Sequence, residues 1–114
     1  MKITIVSGAR PNFMKIAPIC RAIQNAGANG KNISYRLVYA GPEDDPSLEE
    51  SLFFDLGMEK PDAYLGVSGQ DYSQIAAAVM LAFEKELDNH PAQVVLVVDD
   101  LTAAMSCAIV AKKR

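Results

Sequence analysis

The stretch KITIVSGARPNFMK, residues 2–15, decides the fold. Its first six residues form a β-branched run typical of a short buried strand, and Gly8 breaks that run. From residue 12 to residue 26 apolar side chains recur at helical spacing, and Gly27 supplies a stop. A strand, a tight turn and a helix in this order predict the opening of a parallel α/β unit. The apolar helical positions are Phe13, Ile16, Cys20 and Ile23.

The remainder of the chain repeats this alternation. Beside residues 2–7, the pattern predicts strands at residues 33–40, 63–67 and 94–98. The last of these reads VVLVV, a continuous apolar run typical of a parallel strand that is covered on both faces.

Helices are predicted between and after these strands. Ser47 with Glu50 three residues later is a capping-box signature for a short helix that ends at Gly57. Asp71 with Gln74 opens a longer helix in the same way, and residues 101–111 return to helical spacing.

Alternating strands and helices predict a three-layer, Rossmann-like, doubly wound parallel sheet with strand order third, second, first, fourth. Ligands bind such sheets beyond the carboxyl ends of the strands, at the point where the winding reverses. In this order the VVLVV strand lies at a sheet edge, where unpaired backbone is normally short, charged or covered. We therefore expect this strand to pair with a partner, or the chain to be part of a longer protein.

Composition sets limits on the possible functions. The chain has 114 residues, 50% of them hydrophobic, a net charge of −3 and a pI near 5.0, which suits one domain and disfavours nucleic-acid binding. No signal peptide or membrane-spanning run is recognisable, so we expect a cytoplasmic protein that does not bind membranes. Cys20 and Cys107 have no metal or redox spacing and are predicted to be buried free thiols.

The turn after the first strand has the parts of an anion site. Gly8 allows a tight turn, Arg10 can clamp two phosphate oxygens, and Lys15 is a cation in the first turn of a helix, where an anionic ligand would offset its unfavourable position. The alternative is that Arg10 and Lys15 are solvated surface charges, because no complete phosphate-loop motif is present.

Asp100 is the candidate catalytic residue, since it closes a strand at the expected ligand edge and a carboxylate there can act as acid or base. The alternative is that Asp99 or Asp100 caps the last helix. The acidic loop at residues 43–45 lacks ligand-type spacing, so no metal is assigned. His90, the single histidine, is predicted to be a surface residue at the opposite end of the sheet.

Three segments together resemble the amino-terminal domain of the non-hydrolysing UDP-N-acetylglucosamine 2-epimerases. They are GARPNFMKIAP (residues 8–18), FFDLGMEKPDAYLGV (53–67) and VVLVVDDLTAAMSCAIVAKK (94–113). The family typically shows G-x-R-P-E-x-x-K after the first strand, L-G-(x)-(x)-K-P-D-Y-x-L in the middle and V-x-G-D-T at a later strand end. The motifs occur in order over essentially the whole chain.

The resemblance implies half of a GT-B type fold and the interconversion of UDP-GlcNAc and UDP-ManNAc for polysaccharide biosynthesis, by elimination and re-addition of UDP. Arg10, Lys15 and Gly8 would bind the substrate, Asp100 would belong to the acid/base set, and no cofactor is implied. Family members are commonly homodimers with a second domain. Residues 1–114 would be a partial amino-terminal domain without that second domain, and we expect little or no activity from them alone.

The sequence also departs from the family pattern. Asn12 replaces the usual glutamate, Asp99 replaces a glycine, and residues 40–43 read AGPE where T-G-Q-H is typical. These departures leave open a second hypothesis, a non-catalytic nucleotide-sugar-binding or regulatory module diverged from the family.

Overall fold

The structure, a computed structural model, describes residues 1–69, 71–98 and 102–113. Strands and helices alternate throughout these ranges. The strands are β1 (Lys2–Ser7), β2 (Ser34–Tyr39), β3 (Ala63–Tyr64) and β4 (Val94–Val97). The helices are α1 (Asn12–Ala28), α2 (Glu50–Leu56), α3 (Tyr72–Asn89) and α4 (Thr102–Lys113).

The sheet has the order β3-β2-β1-β4, with every neighbouring pair parallel. The register of β1 with β2 runs from Lys2 opposite Ser34 to Ser7 opposite Tyr39, so the two strands end level with each other. The predicted strand order is confirmed, and among the described strands β4 lies at one edge of the sheet.

Helices cover both faces of the sheet, because consecutive strand residues point to opposite sides. Ile5 packs in the core cluster that includes α1 and α2, whereas its neighbour Val6 packs in the cluster that includes α3 and α4. Both side chains are fully buried, and burial of each contributes roughly 1.5–3 kcal/mol. The predicted three-layer α/β class is therefore confirmed.

The element boundaries differ from the prediction in two instructive places. Ser47 does not cap α2: its hydroxyl donates to Asp45 Oδ1 (2.7 Å), and the helix begins at residue 50 without a side-chain cap. The third strand has two residues rather than five: Gly66 takes a positive φ of 73°, and around it the pairing becomes irregular, with the Gly66 N–H donating to Gly41 O and the Val67 N–H donating to Ala40 O. The cap predicted at Asp71 is confirmed, since its Oδ1 accepts from the backbone N–H of Ser73 (2.9 Å).

Candidate functional site

An open cleft of about 540 Å³ lies at the carboxyl ends of β1, β2 and β3. Loops that leave these strands form one wall, and the first turns of α3 and α4 form the other. This is the position that the doubly wound topology predicts for a ligand. Its lining includes Gly8, Gly41, Asp44, Asp45, Val67, Ile75 and Ala103.

The turn after β1 is closed by the side chain of Asn12. This amide is 5% exposed, and its Oδ1 accepts from the backbone N–H of Gly8 (2.9 Å) and of Ala9 (3.2 Å). Two of the loop N–H groups that could have faced an anion therefore already have an acceptor. A glutamate at residue 12 would place a charged acceptor in this turn, whereas Asn12 supplies a neutral one.

Of the three predicted binding residues, only Gly8 lines the cleft. Arg10 is exposed, and its Nε donates to the backbone carbonyl of Ser47 (3.0 Å), on the loop between β2 and α2. Lys15 is exposed in the first turn of α1. Arg10 thus lies against a loop that lines the cleft, and Lys15 lies on the outer surface of the helix.

Asp100, the predicted catalytic residue, lies outside the described residues, as does Asp99. Along the sequence, the next residue that lines the cleft is Ala103, in the first turn of α4.

A polar cluster that sequence reasoning missed joins β2 to the loop after it. The Tyr39 hydroxyl donates to Asp45 Oδ2 (2.7 Å), and Oδ1 of the same carboxylate accepts from the backbone N–H of Ser47 (2.9 Å). These hydrogen bonds lower the pKa of Asp45, the Tyr39 bond contributing most. Burial, and then the bond to Asp45, raises the pKa of Tyr39 to about 12. Tyr39 therefore stays neutral and donates at ordinary pH, while Asp45 is ionised.

Two sequence signals could have indicated this cluster. An aspartate two residues before a serine, as in Asp45-Pro46-Ser47, is typical of a turn in which the carboxylate accepts from the backbone. The second signal is Gly41, soon after the strand, because a glycine permits close approach of the backbone to its surroundings. In the structure, a Cβ at this position would lie 2.6 Å from Cε2 of Tyr39. The glycine lets the loop cross close to the tyrosine ring.

Other predicted features lie away from the cleft. Cys20 and Cys107 are buried and free, as predicted, and burial raises the pKa of the Cys107 thiol to about 12. His90 is exposed after α3, near the amino ends of the strands, which confirms its predicted position. The described residues contain no group of three or more His, Cys, Asp or Glu side chains placed to hold a metal ion. No helix in the described ranges has the length and hydropathy needed to cross a membrane.

The fold and the cleft define the class: a Rossmann-like α/β domain with a ligand cleft where its parallel strands end. A family model described as UDP-N-acetylglucosamine 2-epimerase matches residues 25–114. The chain belongs to the UDP-N-acetylglucosamine 2-epimerase family, which confirms the resemblance found in its sequence motifs.

Individual relatives agree with this assignment. The chain is 29% identical over 113 residues to the UDP-2,3-diacetamido-2,3-dideoxy-D-glucuronate 2-epimerase of Pseudomonas aeruginosa, covering 99% of this chain and 31% of that protein. It is 25% identical over 113 residues to the UDP-N-acetylglucosamine 2-epimerase of Methanocaldococcus jannaschii, covering 99% of this chain and 30% of that protein. The chain thus spans about a third or less of the relatives that it matches.

Solved structures support the same fold. The M. jannaschii enzyme, crystallised with UDP-GlcNAc and UDP, matches with a TM-score of 0.85 at 25% identity, over 99% of this chain and 30% of that one. The Neisseria meningitidis enzyme matches at 20% identity with a TM-score of 0.82, over 97% of this chain and 29% of that one, which supports the fold alone.

Proposed function

We propose that this chain supplies one side of the nucleotide-sugar site of an epimerase that interconverts UDP-GlcNAc and UDP-ManNAc. The observation that carries the proposal is the cleft at the carboxyl ends of β1–β3, in a chain that matches a structure holding UDP-GlcNAc and UDP. A homodimer and a cytoplasmic location, both expected from the sequence, are part of the proposal.

The proposed chemistry needs an acid/base group and a cationic surface. In the first step a base removes the C2 proton, the bond between C1 and the diphosphate oxygen breaks, and UDP leaves with the electron pair. UDP then adds back at C1 while an acid protonates C2 from the opposite face. Asp100 is assigned to the acid/base set, and Arg10 and Lys15 to the diphosphate, whose negative charge rises as it departs.

The sugar is proposed to be uncharged. The P. aeruginosa relative is named for a glucuronate, whose sugar carries a carboxylate. In this chain the carboxylates of Asp44 and Asp45 line the cleft, and like charges at short range disfavour a second acidic group. The acidic lining therefore favours N-acetylglucosamine over a uronate.

A non-catalytic binding module is the second candidate. It is favoured by Asn12, because its Oδ1 already accepts from the N–H groups of Gly8 and Ala9, where a catalytic diphosphate site would benefit from open donors. The two candidates share nucleotide binding and differ in turnover.

UDP binding to the 114-residue chain tests the shared part of the proposal. We expect calorimetry to detect UDP binding, and Arg10→Ala to weaken it about 10- to 100-fold, since charge-assisted hydrogen bonds to phosphate are lost. Arg21→Ala, which changes an exposed arginine on the far part of α1, should bind UDP as the unmodified chain does. Equal binding by the Arg10 and Arg21 variants would refute the role of Arg10.

Turnover separates the candidates. The 114-residue chain should convert no UDP-GlcNAc at enzymatic rates, because an open cleft leaves the reacting atoms exposed to water. A chimera in which this chain replaces the matched segment of the M. jannaschii enzyme should form UDP-ManNAc, and Asp100→Asn should abolish that activity. Asp55→Asn, an exposed change on α2, is the matched control. A chimera that binds UDP-GlcNAc but converts none would favour the binding module.

A further inference from the structure

A continuous hydrogen-bonded path leads from the hydrophobic core to Arg10. The Tyr39 hydroxyl donates to Asp45 Oδ2. Oδ1 of the same carboxylate accepts from the backbone N–H and from the hydroxyl of Ser47. The Ser47 carbonyl in turn accepts from Arg10 Nε. The Tyr39 contact measures 2.7 Å, the two Ser47 contacts to Asp45 measure 2.9 Å (N–H) and 2.7 Å (hydroxyl), and the Arg10 contact measures 3.0 Å. Residues on two separate loops are thereby joined.

The path is anchored at its buried end. Tyr39 is 4% exposed, and its ring packs against Phe13 (centroids 5.8 Å apart) and Tyr64 (6.3 Å). The ring therefore has little freedom, and its hydroxyl holds Asp45 at a fixed place. Because Asp45 binds both donors of Ser47, it also sets the direction of the Ser47 carbonyl.

The outer end of the path restricts the Arg10 side chain. The guanidinium is planar and carries five N–H donors, of which the Nε–H bonds the Ser47 carbonyl. This bond restricts rotation of the group through its Nε, and bidentate phosphate binding can use the two Nη nitrogens. An arginine that is oriented before binding loses less rotamer entropy when the ligand arrives.

We propose that Asp45 is a positioning residue for UDP binding, which holds Arg10 in its phosphate-binding orientation through Ser47. The inference rests on the proposed function, because it assumes that Arg10 contacts the diphosphate. It makes a prediction opposite in sign to simple electrostatics, since removal of a carboxylate from a diphosphate cleft should by itself strengthen binding.

UDP affinity of the 114-residue chain provides the test, measured by calorimetry for the unmodified chain and its variants. Asp45→Ala should weaken UDP binding about fivefold to tenfold, because the orientation of Arg10 is lost. Asp44→Ala removes a neighbouring cleft carboxylate and should bind UDP about twofold more tightly. Asp45→Ala binding as tightly as Asp44→Ala would overturn the inference.

Two further variants separate positioning from general stabilisation of the loop. Asp45→Asn can accept from Ser47 and donate to the Tyr39 oxygen without the negative charge, so it should bind UDP at least as tightly as the unmodified chain. Tyr39→Phe removes one hydroxyl and keeps the ring, and it should weaken UDP binding about two- to threefold. UDP binding by Asp45→Asn that is as weak as that of Asp45→Ala would contradict the positioning role of Asp45.

A double-mutant cycle identifies Arg10 as the group through which Asp45 acts. In an Arg10→Ala background, Asp45→Ala should cause no further loss of UDP affinity. In the ligand-free chain, the NMR signal of the Arg10 Nε–H should be protected from exchange and should lose that protection in Asp45→Ala. Additive losses of affinity, or an unchanged signal, would overturn the inference.

The outcomes also separate this inference from the proposed function. If UDP gives no calorimetric signal with the unmodified chain beyond that of a buffer control, the proposed function fails and the inference fails with it. If the unmodified chain binds UDP and Arg10→Ala binds it equally tightly, the role of Arg10 is refuted and the inference fails with that role. If Arg10→Ala weakens binding and Asp45→Ala does not, only the positioning role of Asp45 is refuted.

Discussion

Replacement of Gly41 by alanine tests whether the loop after β2 must cross close to Tyr39. A Cβ at residue 41 would lie 2.6 Å from Cε2, 3.1 Å from Cζ and 3.2 Å from the hydroxyl oxygen of Tyr39. Ordinary contacts between carbon atoms are about 3.5–4.0 Å. Gly41 is not among the glycines with positive φ, so the cost arises from this steric overlap rather than from the backbone.

The magnitude follows from how little Tyr39 can move. Its ring is held by Phe13 and Tyr64, and its hydroxyl by Asp45, so the extra methyl group must displace a packed ring or the loop. Overpacking of this kind costs roughly 1–3 kcal/mol, and loss of the Tyr39 hydrogen bond to a charged acceptor adds about 1.5 kcal/mol. We expect Gly41→Ala to lower the free energy of unfolding by about 2.5–4.5 kcal/mol.

Denaturant unfolding followed by circular dichroism measures this change, and the melting temperature should fall by about 10–20 °C. Gly27→Ala is the matched control. Its Cβ would meet only the Ile33 carbonyl oxygen at 3.4 Å, and alanine in a helix should stabilise the chain by about 0.5–1 kcal/mol. In a Tyr39→Leu background, which lacks the colliding atoms, the cost of Gly41→Ala should largely disappear. Equal stability of Gly41→Ala and the unmodified chain would refute the reasoning.

Three other predictions concern an ion pair, the two cysteines and the Tyr39 hydroxyl. Glu86→Ala should lower the free energy of unfolding, measured by chemical denaturation, by about 2–3 kcal/mol, because it leaves Arg36 without the carboxylate that its Nε contacts at 2.7 Å. The double variant Glu86→Ala/Arg36→Met should lose less stability than Glu86→Ala alone. Cys20 and Cys107 should react with a thiol reagent only after unfolding, since burial raises the pKa of both, and rapid labelling of the folded chain would contradict this. Because the pKa of Tyr39 is raised from 10.0 to about 12, the neutral hydroxyl stabilises the fold fully below pH 10, and this stabilisation is lost as the pH rises to 12. The loss in the free energy of unfolding, about 2–3 kcal/mol, should be smaller in Tyr39→Phe. Identical pH profiles of stability for the two chains would contradict this prediction.

The sheet order could be predicted because local patterns and general rules were sufficient. The apolar run at residues 94–98 and the alternation in 33–40 each indicated a strand without reference to any partner, and right-handed crossovers then limited the order. Ser47 shows where such reasoning fails. Its spacing from Glu50 fits a capping box, but the Asp45 carboxylate competes for the same hydroxyl and holds it at 2.7 Å.

The candidate site was predictable only where it depends on topology. Gly8 lines the cleft because a turn after a central strand must lie at its carboxyl end. The bond between Arg10 and Ser47 joins residues 37 positions apart, and no periodic pattern encodes such a pair. The strand pattern at residues 33–40 is consistent with the burial of the Tyr39 ring, but such a pattern carries no information on the hydrogen-bond partner of its hydroxyl.

The charges around the cleft support its interpretation as one side of a site. The lining contributes the carboxylates of Asp44 and Asp45, whereas the cations assigned to the diphosphate, Arg10 and Lys15, lie outside that lining. A nucleoside diphosphate is anionic, so its affinity depends on cations that outweigh these carboxylates. Arg10 can contribute because the Ser47 carbonyl holds it against the loop that lines the cleft. Because the lining itself is acidic, we expect residues 1–114 to bind UDP-GlcNAc weakly, and weak binding adds to the exposure of the cleft to water as a reason for proposing that they alone do not catalyse epimerisation.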